Sequence, residues 1–150
     1  MKLHIVIIFS LIGLFSVKSV LSQQLVSVHA TQLEPRKEAG YKFVIETADP
    51  VTKNASFDII FPKVFLLNNL IMSSSTTMNG GLIVNVTNDT VRVSRTGLGD
   101  ELPAGRIDIY VASVINAEDM APEFDFEILR YDNDRQVSQI NSAQKVEQIQ

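Results

Sequence analysis

An all-β fold, two antiparallel sheets packed as a sandwich of about seven strands, is predicted by three features of the sequence. Apolar and polar residues alternate at period two, turn-forming residues interrupt the alternation at short intervals, and no convincing helical stripe occurs. Successive side chains on a strand point to opposite faces of a sheet, so each alternating run offers one face to a core and one to water.

A short run over Val26–Thr31 opens the pattern. Tyr41, Phe43 and Ile45 then alternate with Lys42, Val44 and Glu46, and Phe57, Ile59 and Phe61 with Asp58 and Ile60. Leu82, Val84 and Val86 alternate with Ile83 and Asn85, and Thr90–Ser94 repeats the pattern. Ile107, Ile109 and Val111 alternate with Asp108, Tyr110 and Ala112, and Phe124, Phe126 and Ile128 with Asp125, Glu127 and Leu129. Between the runs stand Pro35 and Gly40, Asp49-Pro50, Asn79-Gly80-Gly81, Asn88-Asp89 and Pro103-Ala104-Gly105, the residue types that turns require. Val64–Met72 is apolar, but too short for periodicity to separate a strand, a helical turn and a buried crossover. Asp132–Gln150 is polar, and its Val137, Ile140, Val146 and Ile149 fit neither period, which predicts a solvated tail or linker.

The chain opens on Met1-Lys2-Leu3-His4, continues with the apolar Ile5–Phe15, and reaches the small residue Ser22 after Val20-Leu21. A basic start, a short apolar run and a small-residue exit describe a secretory signal peptide cleaved after Ser22. A membrane-spanning helix needs about 20 apolar residues, and Ser16 and Lys18 interrupt this run. The expected organisation is therefore a signal peptide over 1–22, a sandwich over 23–134 and a polar C-terminal tail over 135–150. The expected location is extracellular, with no membrane span once the signal is removed.

Acidic residues outnumber basic ones, 17 to 13, and two of the basic ones, Lys2 and Lys18, lie in the signal segment. That balance argues against nucleic acid, which requires clustered Lys and Arg. Cysteine is absent, so the domain must be held by its core rather than by disulfides, and thiolate metal sites are excluded. Catalysis is not expected either. Outside the signal the one histidine is His29, with no Gly-x-Ser-x-Gly elbow to accompany it. No cofactor is implied.

Three positions match the N-glycosylation acceptor Asn-x-Ser/Thr: Asn54, Asn85 and Asn88. Asn54 precedes a strand, Asn85 points away from Leu82, Val84 and Val86, and Asn88 sits in a turn, so all three are expected at the surface. Asp132 and Asp134, flanking Asn133, are candidate oxygen ligands for calcium, although the run lacks the glycine and glutamate of an EF-hand loop. Binding of glycans by the domain would rest on Tyr110 and Tyr131, since tryptophan is absent. An open sandwich also has edge strands that can pair with another chain. Gln24–Thr31 and the C-terminal tail are the two segments that could be donated to a neighbour, although the ordinary expectation for Gln24–Thr31 is a first strand paired within its own sheet.

Several of these residues recur in a known order. Leu33-Glu34-Pro35, Gly40-Tyr41-Lys42-Phe43, Ile59-Ile60-Phe61-Pro62, Ala104-Gly105-Arg106-Ile107-Asp108-Ile109, Asn116 and Phe124-Asp125-Phe126-Glu127-Ile128 follow one another over Gln23 to Asp134. This order resembles the immunoglobulin-like modules found in tandem in large extracellular surface proteins of ciliates and other protists. It departs from them at Asn116, followed by Ala117 rather than proline, and in standing alone. The resemblance implies a structural, non-enzymatic glycoprotein of a cell-surface coat or fibre, partnered by itself or by other surface glycoproteins and bearing N-linked glycans. The alternative is a soluble binding module for glycans or calcium.

Overall fold

The computed structural model describes residues 23–150, so the expected signal segment lies outside the described residues. Among the described residues there are ten strands and no helix: β1 (Gln24–Ala30), β2 (Glu38–Thr47), β3 (Ser56–Ile60), β4 (Ser73–Ser74), β5 (Leu82–Thr87), β6 (Thr90–Arg95), β7 (Gly105–Ile115), β8 (Phe124–Asp132), β9 (Arg135–Gln144) and β10 (Val146–Gln148). They form two five-stranded sheets, ordered β10-β1-β2-β7-β4 and β5-β6-β3-β8-β9. The sandwich expected from the sequence is present. Every strand pairing is antiparallel except that of β1 with β10.

The alternating residues fill the space between the sheets. Tyr41, Phe43 and Ile45 of β2, Phe57 and Ile59 of β3, Ile107, Ile109 and Val111 of β7, and Phe126 and Ile128 of β8 are buried. At one end of the sandwich the rings meet edge to face, Phe43 lying 5.5 Å from Phe61 and 5.4 Å from Phe126 between centroids. Such pairs add about 1 kcal/mol each beyond their burial. The Tyr41 hydroxyl is buried there and donates to Asn116 Oδ1 at 2.5 Å. Burial raises its pKa above that of an ordinary tyrosine. Asn116 in turn donates to the carbonyls of Gln32 and Glu34.

The ambiguous Val64–Met72 segment is an irregular crossover between the sheets. Phe65, Leu67 and Leu70 cap the aromatic end of the core, whereas Val64, Leu66, Ile71 and Met72 are exposed. It runs beside the edge of β7, where Leu66 and Ile115 exchange backbone hydrogen bonds and the Met72 carbonyl accepts from Ala112.

One expectation is corrected. Residues 135–150 are not a solvated tail: β9 pairs with β8 along its length and β10 pairs with β1. The reason is local. Only Ile140 and Val146 are buried, while Ser138, Ser142 and Gln144 take the intervening half-buried places, so the apolar period is missing although the hydrogen-bond ladder is complete. The chain passes from one sheet to the other at Lys145 and closes that side of the sandwich. For Gln24–Thr31 the ordinary reading holds: β1 is an interior strand, with β2 on one side and β10 on the other. Gln24–Thr31 is therefore no free donor segment.

Candidate interaction surface

The three sequon asparagines are all exposed. Asn54 lies in the loop before β3, where its side-chain amide donates to Asn133 Oδ1 at 3.3 Å. Asn85 stands on the outer face of β5, with φ-positive Asn88 (φ 55°) a few residues on in the β5–β6 hairpin. A left-handed backbone is adopted most readily by Gly and Asn, so the turn chemistry that places Asn88 also lifts it from the sheet.

The Asp132-Asn133-Asp134 run makes the turn between β8 and β9. Asn133 and Asp134 both have positive φ (49° and 64°) and join β8 to β9 as a two-residue type I′ hairpin. The Asp132 carboxylate accepts from Arg130 Nη2 at 2.6 Å and from Thr52 Oγ1 at 3.3 Å. Arg130 itself is 1% exposed and also donates to the carbonyls of Asp49 and Pro50. A buried guanidinium requires a partner for its charge, and Asp132 is that partner. Among the described residues no three His, Asp or Glu side chains converge.

Arg95 closes the same end. It is 5% exposed and donates to the carbonyls of Val51, Thr52 and Asp100. Burial lowers its pKa. Both arginines were missed as inward-facing groups, yet the period-two count finds them, since Arg95 follows Val91 and Val93, and Arg130 follows Phe126 and Ile128, on the buried side.

Asp108 lies on the outer side of β7 but is covered by the segment after β4. It accepts from the backbone amides of Thr76 and Thr77 and from the hydroxyls of Ser75, Thr76 and Thr77 at 2.8–3.1 Å. Burial alone would raise its pKa; the donors outweigh it and hold the carboxylate at about 2. On the opposite sheet Arg92 forms a forked pair with Asp58 at 2.6 and 2.7 Å, which raises the arginine's pKa. The Arg92 guanidinium lies 4.9 Å from the centre of the Tyr131 ring, so that ring face is already covered and is no free platform for a sugar. Tyr110 is half-buried. His29 Nε2 is within 2.9 Å of Ser27 Oγ.

The other sheet ends on the short strands β10 and β4; what remains open at length is the rim of the β5-β6-β3-β8-β9 sheet. Its two outermost strands each have a single strand neighbour, so one row of amides and carbonyls on each faces outward. Neither Leu82–Thr87 nor Gln136–Gln144 contains a charged residue, a proline or a glycine. Ile83 is 53% exposed on β5 and Val137 48% on β9.

No family model and no curated protein sequence matches the chain. Among solved structures it is similar to BslA, described as a bacterial hydrophobin, with 17% identity, a TM-score of 0.51, and coverage of 85% of this chain and 100% of that one. The N-terminal domain of the Streptococcus gordonii adhesin Sgo0707 aligns with 13% identity and a TM-score of 0.49 over 83% of this chain. Domains D2 and D3 of the Corynebacterium diphtheriae major pilin SpaD align with 12% identity and a TM-score of 0.46 over 79%. The chain spans 32% of the adhesin structure and 49% of the pilin structure. At these identities the likeness is one of fold: with two packed sheets and no helix among the described residues, this chain is an immunoglobulin-like β-sandwich.

Proposed function

We propose that this chain is a non-enzymatic extracellular structural glycoprotein, a subunit of a cell-surface coat or fibre that assembles through the edges of its sandwich. The observation that carries the reading is the pair of open edge strands on one sheet, β5 without a charge and β9 with Arg135 alone at its start. Monomeric β proteins ordinarily blunt such edges with lysine, proline or a covering segment. Supporting it are the signal-like N-terminus and the three exposed sequons, which fit an extracellular glycoprotein. The module resemblance to protist surface proteins fits the same role. The alternative of a glycan- or calcium-binding module has less behind it, because Asp132 is paired with Arg130 and Tyr131 lies under Arg92.

The test is electron microscopy of the secreted protein, with light scattering on the same sample. Ordered arrays with a repeat the size of one domain are expected. A monodisperse glycosylated monomer at every concentration would overturn the proposal.

A further inference from the structure

The two open edges are not equivalent. On β5, Asn85 faces outward in mid-strand and Asn88 sits in the adjoining turn, so glycans at either would crowd that edge. The hydrophilic bulk of a glycan does there what lysine or proline does on other edge strands. Toward β9 there is no sequon: Asn141-Ser142-Ala143 lacks the required hydroxyl at its third position. β9 is also the longer, ten residues against six. Its only charge is Arg135 at the very start, and Lys145 follows its end.

We infer that β9 is the joint, and that its occupant is β9 of a second copy, paired antiparallel about a two-fold axis. This deepens the assembly reading and rests on it. Three features choose the occupant. An outward row of backbone groups is completed by an extended strand, and antiparallel pairing is the more stable kind. After the bulge at Val137, Ser138–Gln144 runs in regular register with β8, so its other side presents an equally regular row. Third, centring the axis on Asn141 pairs Asn141 with itself, Gln139 with Ala143 and Ile140 with Ser142. That register keeps each side chain on its own face, because paired positions differ by an even number. It also pairs Ser138–Gln144 with the same run of the second copy and leaves Arg135, the strand's one charge, beyond the paired run. Opposed like charges destabilise a strand pair.

Because the chain has no cysteine, a single introduced thiol reports the joint without background. Facing Cα atoms of an antiparallel pair lie about 4.5–5.5 Å apart, within disulfide range. Full-length glycosylated Asn141→Cys is expected to form a disulfide dimer under mild oxidation, while Ile83→Cys on β5 does not. Asn141→Lys, which opposes two ammonium groups at the axis, is expected to weaken self-association about tenfold in sedimentation equilibrium. Wild-type association with no Asn141→Cys cross-link and no loss in Asn141→Lys would overturn the β9 joint and leave the assembly reading standing. Cross-linking through Ile83→Cys instead would also overturn it, in favour of β5. A wild-type chain that stays monomeric at all concentrations would overturn both.

Discussion

The two ends of the sandwich do the same job with different chemistry. One is closed by rings and aliphatic side chains: Tyr41, Phe43, Phe61, Phe65 and Phe126 meet edge to face, and Leu67 and Leu70 of the crossover lie over them. The other is closed by Arg95 and Arg130, whose guanidinium groups gather the carbonyls of Asp49, Pro50, Val51, Thr52 and Asp100. Apolar closure is non-directional and tolerates an irregular loop, which is why Val64–Met72 can cross there without regular structure. Polar closure is directional. It fixes each carbonyl in place, and it fails if any one partner is removed, since a buried polar group left unmade costs about 1–3 kcal/mol.

The largest break in this comparison is expected at the aromatic end. Phe126 touches several rings and is 1% exposed, so Phe126→Ala removes a ring from a packed cluster and should lower unfolding free energy by about 3–5 kcal/mol. Urea denaturation followed by far-UV circular dichroism measures it. At the arginine end, Arg130→Ala should cost about 3 kcal/mol, because Asp132 and two carbonyls lose their partner together. The sharper contrast is Arg130→Lys, which keeps the charge but not the fork. A lysine that restored full stability would show that charge alone, and not carbonyl geometry, closes that end.

How much of this could be read from the chain follows the same division. The aromatic end was legible because Tyr41, Phe43, Phe61 and Phe126 sit on period-two positions. At the arginine end the same parity places Arg95 and Arg130 inward, but a charged residue carries no apolar signal, and its carbonyl partners are unreadable in side-chain identity. Asn133-Asp134 reads as an oxygen-ligand run, and its part in a two-residue hairpin was hidden because the strand that follows carries no apolar period. β9 escaped notice because only Ile140 carries its inward period. The exposed positions of Asn54, Asn85 and Asn88 were legible from strand parity and turn residues alone.

Asp108, held by the segment after β4, makes stability depend on pH. Its carboxylate is held at about 2, below the ordinary 3.8, so the folded state binds the proton less readily than the unfolded chain. The contribution is present above the unfolded value and is lost as pH falls through the folded one. The size is about 2 kcal/mol, at about 1.4 kcal/mol per pKa unit. Asp108→Asn should therefore be less stable than wild type at pH 7, with the gap closing toward pH 2 in paired thermal melts. A gap that stayed constant would assign Asp108's contribution to hydrogen-bond geometry rather than to charge.

The smallest effect is expected on the outside of the crossover that caps the aromatic end. Ile71 is 82% exposed and Met72 54% exposed, while Phe65 and Leu70 of the same segment are buried. If the segment closes the core only through its inward side chains, Ile71→Ser with Met72→Ser removes almost no folding contact. Unfolding free energy should then change by less than about 0.5 kcal/mol, as for ordinary surface substitutions. The same variant should still cross-link through Asn141→Cys, because β9 and the crossover lie on opposite edges of the sandwich. Unchanged stability with lost higher-order assembly would make Ile71 and Met72 a second contact between subunits, beyond the β9 joint. A two-fold β9 pair alone closes as a dimer, so a fibre or coat needs such a second contact, and these exposed side chains are the place to look for it.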